Sequence, residues 1–331
     1  MSPRKRATIT DVARVAGVAP STVSRAFSNP GRVNAQTRAE VLEVAEQLGY
    51  VPNQTARTLV SGRTNTLALL VPDITNPYFS GVIKGAERAA ATAGMSLVLG
   101  DTQENPALEE QLVRRLGPAV DGFVISAARM PDDALQRAAE ENRIALINRA
   151  TAGIPCVVAD YDSGTRQIVD HLDSLGHRSF VFLGGPAESW SGARRWAGLS
   201  AAAEARGMTA TRFGPYAPTL AGGPAAADAV LAAKATAVVA HNYMLAIGVM
   251  RRLAERRVDV PVQVSVVGFD NMFGADFLTP GLTTLAERRE DAGARCVELL
   301  ASRTPPGSGR ETPSWVLPTE LVVRGSTGPL P

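Results

Sequence analysis

The sequence holds little of what builds disulfide frameworks, metal centres or redox sites: two cysteines and three histidines in 331 residues. Cys156 and Cys296 stand far apart without a partner-like spacing, so they read as two packed thiols in a reducing compartment. Long hydrophobic runs are missing too. The longest are short stretches such as 67–71, far below the roughly 18 residues that span a bilayer. Residues 1–6 lead into no apolar segment of the kind a signal peptide needs. A cytoplasmic chain with no membrane partner is expected. Neither charge is in excess, with 34 Lys and Arg against 32 Asp and Glu. At 45% hydrophobic and 20% charged residues, the composition excludes disordered and collagen-like chains. The length predicts two or three domains, each with its own core.

Catalytic signatures are also absent. No GxxxxGKS, HExxH, CxxC or GxSxG string occurs, and neither His171, His177 nor His241 neighbours a cysteine or a carboxylate pair at ligand-like spacing. His177, after Leu175-Gly176, reads as a loop or capping residue. No catalytic residue, metal site or cofactor is expected, and the chain reads as a non-enzyme.

The charge is unevenly placed. Residues 1–63 carry nine Lys and Arg against four acids, and residues 64–331 carry 25 against 28. A small basic segment joined to a larger acidic one suggests a nucleic-acid module attached to something that does not bind nucleic acid. Within the basic segment, Thr8-Ile9-Thr10-Asp11 has capping-box spacing, Ile9, Val12, Ala13 and Ala16 recur at helical period, and Gly17 ends the helix. Pro20 suits the first position of a second helix running through Phe27. Two short helices joined by a Gly-containing turn predict a helix-turn-helix. Ser21, Thr22 and Ser24 are small and polar, and Arg25 has the fork that reads guanine O6 and N7. A third helix is predicted from an Asn34 cap to Gly49, burying Val41, Leu42, Ala45 and Leu48. Residues 53–60 have a cap and a stop but only two turns between them, too few to be stable alone.

This part of the chain resembles the LacI/GalR family of bacterial transcriptional repressors. The resemblance rests on Ile9-Thr10-Asp11-Val12-Ala13, Ala16-Gly17-Val18, Thr22-Val23-Ser24-Arg25, Gly49-Tyr50-Val51-Pro52-Asn53, and Ala56 with Leu59. It implies that Pro20, Ser21 and Arg25 face bases, with Thr22 and Ser24 on the same helix, and that Lys5, Arg6, Asn34 and Thr37 contact phosphates. Asn53, Ala56 and Leu59 would belong to a hinge helix that orders when two chains sit on a pseudo-palindromic operator, Leu59 wedging into the minor groove. Ala19 departs from the family, which commonly places a capping Ser there.

The larger segment alternates strand and helix. Apolar runs at 66–71, 96–99, 122–125, 144–147 and 156–159 are separated by helical stretches, and a second series runs through 178–183, 237–240 and 265–268. This pattern argues parallel sheets covered on both faces, in two similar halves whose strand-end loops line a cleft. The resemblance extends here through Asn76-Pro77-Tyr78-Phe79, Asp160 and Gly164, His171-Leu172, Gly176-His177, Gly185-Pro186, Val266-Val267-Gly268-Phe269-Asp270 and Leu282-Thr283-Thr284. It implies a periplasmic-binding-protein-like effector domain, so the fold class expected is an α-helical helix-turn-helix headpiece plus an α/β two-lobed domain of doubly wound parallel sheets. Carried over, Tyr78 and Phe79 form an aromatic wall, and Asn148, Ser191, Arg195, Asn242 and Asp270 hold a small-molecule effector, a sugar or sugar derivative. Tyr243 stands where the family often has Asp, and Trp190 is a candidate to stack on a sugar face.

The domains expected are a DNA-binding domain over 1–50, a hinge over 51–63 and an effector and dimerisation domain over 64–331. Its lobes comprise 64–159 with 289–317, and 160–288 with 318–331. The function expected is a homodimeric repressor of double-stranded DNA controlled by an effector. A stand-alone sugar-binding protein and an α/β enzyme are the alternatives. With no heptad segment at the end of the chain, a dimer is the default.

Overall fold

The computed structural model describes residues 7–28, 30–50, 63–302 and 312–330. The chain forms two compact units that divide between Thr64 and Asn65. Lys5, Arg6, Asn53, Ala56 and Leu59 lie outside the described residues.

The first unit has three helices: α1 (Ile9–Val15), α2 (Pro20–Ser28) and α3 (Ala35–Gln47). The capping box forms at the start of α1, where Thr8 Oγ1 accepts from Asp11 N and the Asp11 carboxylate accepts from Thr8 N. Gly17 then turns the chain at φ 66°, a left-handed conformation that costs glycine little. At α2 the Ala19 carbonyl accepts from Thr22 N and Val23 N, and the Ala19 methyl offers no oxygen to cap the helix. Asn34 caps α3 by accepting from Gln36 N. Val12, Ala13, Val23, Ala26, Val41 and Ala45 form the core, and Phe27 meets Tyr50 edge to face at 5.9 Å. Two residues expected in that core differ: Leu42 is half-buried and Leu48 exposed. Leu48 is the C-cap of α3, at the last turn of the helix.

The second unit contains two six-stranded sheets. The first has the order β11-β5-β4-β3-β1-β2 and the second β12-β10-β9-β8-β6-β7. In the first, β1 (Thr66–Val71), β2 (Ser96–Asp101), β3 (Gly122–Ser126), β4 (Ile144–Ile147), β5 (Cys156–Ala159) and β11 (Ser314–Leu317) are all parallel. The second contains β6 (Ser179–Leu183), β7 (Thr209–Phe213), β8 (Ala237–Ala240), β9 (Ser265–Phe269), β10 (Thr283–Glu287) and β12 (Thr319–Val322). Its strands are parallel except β12, which runs antiparallel to β10. The chain passes between sheets after Ala159, after Glu287 and at Pro318. Leu67–Val71 are wholly buried, as a central parallel strand covered on both faces requires.

Helices α4 (Tyr78–Thr92), α5 (Pro106–Leu116), α6 (Asp132–Glu141), α7 (Tyr161–Ser174), α8 (Trp190–Ala205), α9 (Gly223–Ala232), α10 (Tyr243–Glu255) and α11 (Arg289–Ala301) cover the sheets. α4 and α11 pack backbone to backbone: a Cβ at Gly85 would strike the Glu290 carbonyl, and one at Gly293 the Val82 carbonyl. Gly85→Ala is therefore expected to destabilise this unit by about 1–3 kcal/mol, the usual cost of overpacking. A urea titration showing an unchanged midpoint would contradict that close approach.

His177 does not merely close a loop. It is buried, with Nδ1 3.1 Å from Thr236 Oγ1 and Nε2 3.1 Å from Ser265 Oγ and 3.2 Å from the Gly328 carbonyl. His171 Nε2 lies 2.8 Å from Thr327 Oγ1, so both imidazoles anchor the segment around 327–328. Cys156 and Cys296 are buried free thiols. Among the described residues no helix is long and apolar enough to cross a membrane.

Candidate DNA-reading helix and effector cleft

In the first unit, α2 turns Val23 and Ala26 inward. This leaves Pro20, Ser21, Ser24 and Arg25 on the exposed side, with Thr22 half-buried. An exposed row of small polar groups next to a guanidinium lets a helix approach base edges closely. Asn34 is exposed and Thr37 half-buried, one at the N-terminus and the other in the first turn of α3, where backbone amides favour phosphate.

In the second unit a cleft opens between the lobes, and Tyr78, Phe79, Asn148, Ser191, Arg195, Asn242 and Asp270 all line it. They arrive from the carboxyl ends of strands or from the first turns of the helices that follow. Asn148 follows β4, Asp270 follows β9, and Asn242 follows β8 and caps α10. Tyr78 and Phe79 open α4, and Ser191 and Arg195 lie in the first two turns of α8. Ala127, Asn148 and Asp270 adopt positive φ values of 49°, 52° and 87°. Strained backbone of this kind gathers at ligand sites, where it aims side chains sharply out of a strand. Asn242 stands in the wall, but its amide is engaged: Oδ1 accepts from Leu245 N and Nδ2 donates to the Pro218 carbonyl. Trp190 packs against the apolar clusters of both lobes and is not among the cleft-lining residues.

Beneath the cleft, Arg195 organises a buried network. Its Nη2 donates to Glu287 Oε1 at 2.8 Å, Asp270 Oδ1 at 3.1 Å and Tyr161 Oη at 3.3 Å, while Nη1 donates to the His241 carbonyl at 2.5 Å. Two N–H groups on Nη2 face three acceptors, whereas Nε has no partner. The guanidinium is held by protein through its Nη atoms, while Nε is buried and unpaired. Glu287 joins the lobes: Oε2 accepts from Tyr78 Oη at 3.0 Å and from Asn148 Nδ2 at 3.2 Å, on the opposite lobe from Arg195. A second ion pair lies at the rim, with Arg129 Nε 2.5 Å from Glu104 Oε2, and both residues line the cleft.

Sequence reasoning did not single out Glu287, His241, Tyr161, Arg129 or Glu104. For His241 and Glu287 a signal was present. His241 immediately follows β8 and Glu287 ends β10, the strand positions that carry ligand groups in open α/β sheets.

Burial raises the Asp270 carboxyl from the ordinary 3.8 to about 6, with Arg195 opposing the shift and Glu287 reinforcing it. Burial lowers His241 well below 6.5, helped by the charges of Arg195, Arg129 and Arg212. Burial also lowers His171 and His177, reinforced at His171 by the neighbouring His177 and offset at His177 by the Gly328 carbonyl. Below pH 6.5 the unfolded chain therefore binds histidine protons that the folded chain refuses, so this contribution to stability is complete above pH 6.5 and lost on acidification. Asp270 acts in the other direction, its contribution declining as pH rises from about 4 to 6. The thermal midpoint is expected to fall between pH 7.5 and 6, above most of the Asp270 window, and to fall less in His177→Gln. Equal slopes for both proteins would contradict the histidine origin.

Comparison with known proteins places these sites in a family. Residues 8–53 match the family model described as bacterial regulatory proteins, lacI family, and residues 169–327 match that of a periplasmic binding protein-like domain. The chain is 33% identical to the HTH-type transcriptional regulator DegA of Bacillus subtilis over 98% of this chain and 99% of that one. It is 30% identical to the HTH-type transcriptional repressor CytR of Escherichia coli, over 98% and 97%. The structure of the Lac repressor dimer bound to operator and the anti-inducer ONPF superposes with a TM-score of 0.86 at 25% identity, covering 98% of this chain and all of that one. A DNA-reading headpiece, a two-lobed α/β domain with an interlobe cleft and full-length relatives that regulate transcription lead to one conclusion: the chain is a transcriptional regulator of the LacI family.

Proposed function

We propose that this regulator is a homodimeric repressor that grips a pseudo-palindromic operator and is controlled by a sugar-like effector in the interlobe cleft. The observation that carries the reading is the convergence of aromatic, amide, hydroxyl, guanidinium and carboxylate groups in that cleft, on the same chain as a helix-turn-helix. Such a set suits a ligand rich in hydroxyls. Two similar proteins support it by what their structures contain: the Lac repressor dimer is bound to operator, and the regulator CelR is in complex with cellobiose.

In this reading Arg25, Ser21 and Pro20 face base edges, Thr22 and Ser24 stand beside them, and Lys5, Arg6, Asn34 and Thr37 meet phosphates. Asn53, Ala56 and Leu59 form the hinge. Effector binding changes the arrangement of lobes held together by Glu287 and the three chain crossings. The two hinge segments of the dimer then move apart or together, shifting a marginal folding equilibrium. Selection from randomised duplexes with the full-length protein should enrich two inverted half-sites, and Leu59→Ser should bend the selected site less in a FRET assay. Enrichment of no symmetric site would defeat the reading.

A further inference from the structure

Among the described residues, four buried side-chain polar atoms have no hydrogen-bond partner: Thr102 Oγ1, Ser126 Oγ, Arg195 Nε and His241 Nδ1. Buried polar groups are rarely left unpaired in a folded protein. Arg195 and His241 both line the effector cleft, and they are neighbours, since Arg195 Nη1 donates to the carbonyl of His241 itself. Unmet hydrogen-bonding capacity thus gathers on one wall of the cleft.

The His241 ring is held in place by missing atoms. A Cβ at Gly185 would lie 2.5 Å from Cδ2 and 2.6 Å from Cγ and Nε2, and one at Gly192 would lie 2.9 Å from Cε1. Two glycines therefore make the slot in which the imidazole sits. Burial, helped by the charges of Arg195, Arg129 and Arg212, holds the ring well below its ordinary 6.5, so it is uncharged near neutral pH and offers one N–H and one lone pair.

We infer that His241 is a specificity-determining residue of the cleft, which together with Arg195 Nε holds a single hydroxyl of an uncharged ligand. The inference rests on the effector reading above and adds to it a residue and a chemical requirement. A hydroxyl accepts from the Arg195 Nε–H through one lone pair. It then donates to a bare Nδ1, or accepts from a protonated one through its second lone pair, so it suits either imidazole tautomer. A carboxylate or phosphate oxygen only accepts, suits one tautomer alone, and faces Asp270 and Glu287, which already share the Arg195 guanidinium. An ammonium only donates and meets Arg195 with like charge.

The test is calorimetric titration of the full-length protein with matched probes: glucose, glucose 6-phosphate, glucuronate and glucosamine; ribose and ribose 5-phosphate; cellobiose; adenosine and adenosine monophosphate. An uncharged member is expected to bind, with each charged counterpart at least tenfold weaker. His241→Leu, which keeps the bulk and removes both nitrogens, should weaken that member about tenfold or more, because a buried donor on Arg195 then keeps an incompletely paired ligand. His241→Asn, which restores a hydrogen-bonding group near Nδ1, should recover most of the loss. Thermal midpoints recorded beside the titrations separate a lost contact from a lost fold. The inference is overturned by a charged member binding as tightly as its neutral match, by His241→Leu within twofold of wild type, or by no probe binding while a cell metabolite extract still changes operator affinity. If the extract changes neither operator affinity nor thermal midpoint, the effector reading fails along with it.

Discussion

Arg195→Met is expected to lower the stability of the two-lobed unit by about 3–5 kcal/mol and to abolish effector response. The substitution keeps much of the side chain's bulk but removes the cation that Asp270 and Glu287 share at 3.1 and 2.8 Å. Both carboxylates are about 95% buried or more, and breaking a buried ion network by removing one partner carries a cost of this size. The combination Arg195→Met, Asp270→Asn, Glu287→Gln should regain most of the stability without regaining ligand binding, because the charges leave together while the donor edge stays absent. Urea denaturation and ligand titration on the same proteins separate the two effects. A single variant as stable as wild type would mean that the network is not what holds the floor of the cleft.

Arg25→Ala is expected to weaken operator binding by about 5–150-fold per half-site, the equivalent of the roughly 1–3 kcal/mol of one bidentate guanine contact. Binding to random duplex should change far less and stay strongly salt-dependent, because phosphate contacts carry that part of the affinity. Arg25 is exposed on α2, so the substitution should leave the thermal midpoint of the first unit nearly unchanged. Competition binding between the selected operator and random duplex reads the outcome. If discrimination survives the substitution, base reading belongs to other residues.

The difference between what the sequence reveals and what it conceals follows from how local each feature is. The first unit was legible because its signals are punctuation within a few residues: the Thr8–Asp11 box, Gly17, and the Asn34 cap. Most central strands were legible because a strand buried on both faces is a continuous apolar run, as at 67–71; β10, central in its sheet but opening on Thr283-Thr284, was not read as a strand. By contrast, β7, β11 and β12 carry partly exposed, mixed residues and gave no such run. β12 runs antiparallel to β10, and Pro318 alone separates it from β11 in the other sheet.

In the cleft, residues whose neighbouring motif drew attention, such as Tyr78 and Asp270, were found by the family resemblance. Glu287 and His241 were not, although each stands at the carboxyl end of a strand, since neither belongs to a matching motif and the partners of Glu287 lie far along the chain: it meets Tyr78 across 209 positions and Arg195 across 92. Asn242 shows the opposite limit. Its position in the cleft was legible, but the engagement of its amide by Leu245 and Pro218 was not.

The account stands or falls on energetic coupling between the cleft and the DNA-reading helices. The direct measurement is a thermodynamic cycle on the full-length protein: operator affinity with and without a saccharide that raises its thermal midpoint, and saccharide affinity with and without operator. Linkage requires both ratios to be equal, and coupling of about 1–3 kcal/mol predicts a factor of roughly 5–150. Arg195→Met should bring that factor to one. If wild type binds both ligands and each leaves the affinity for the other unchanged, the cleft does not control the headpiece and the account is contradicted.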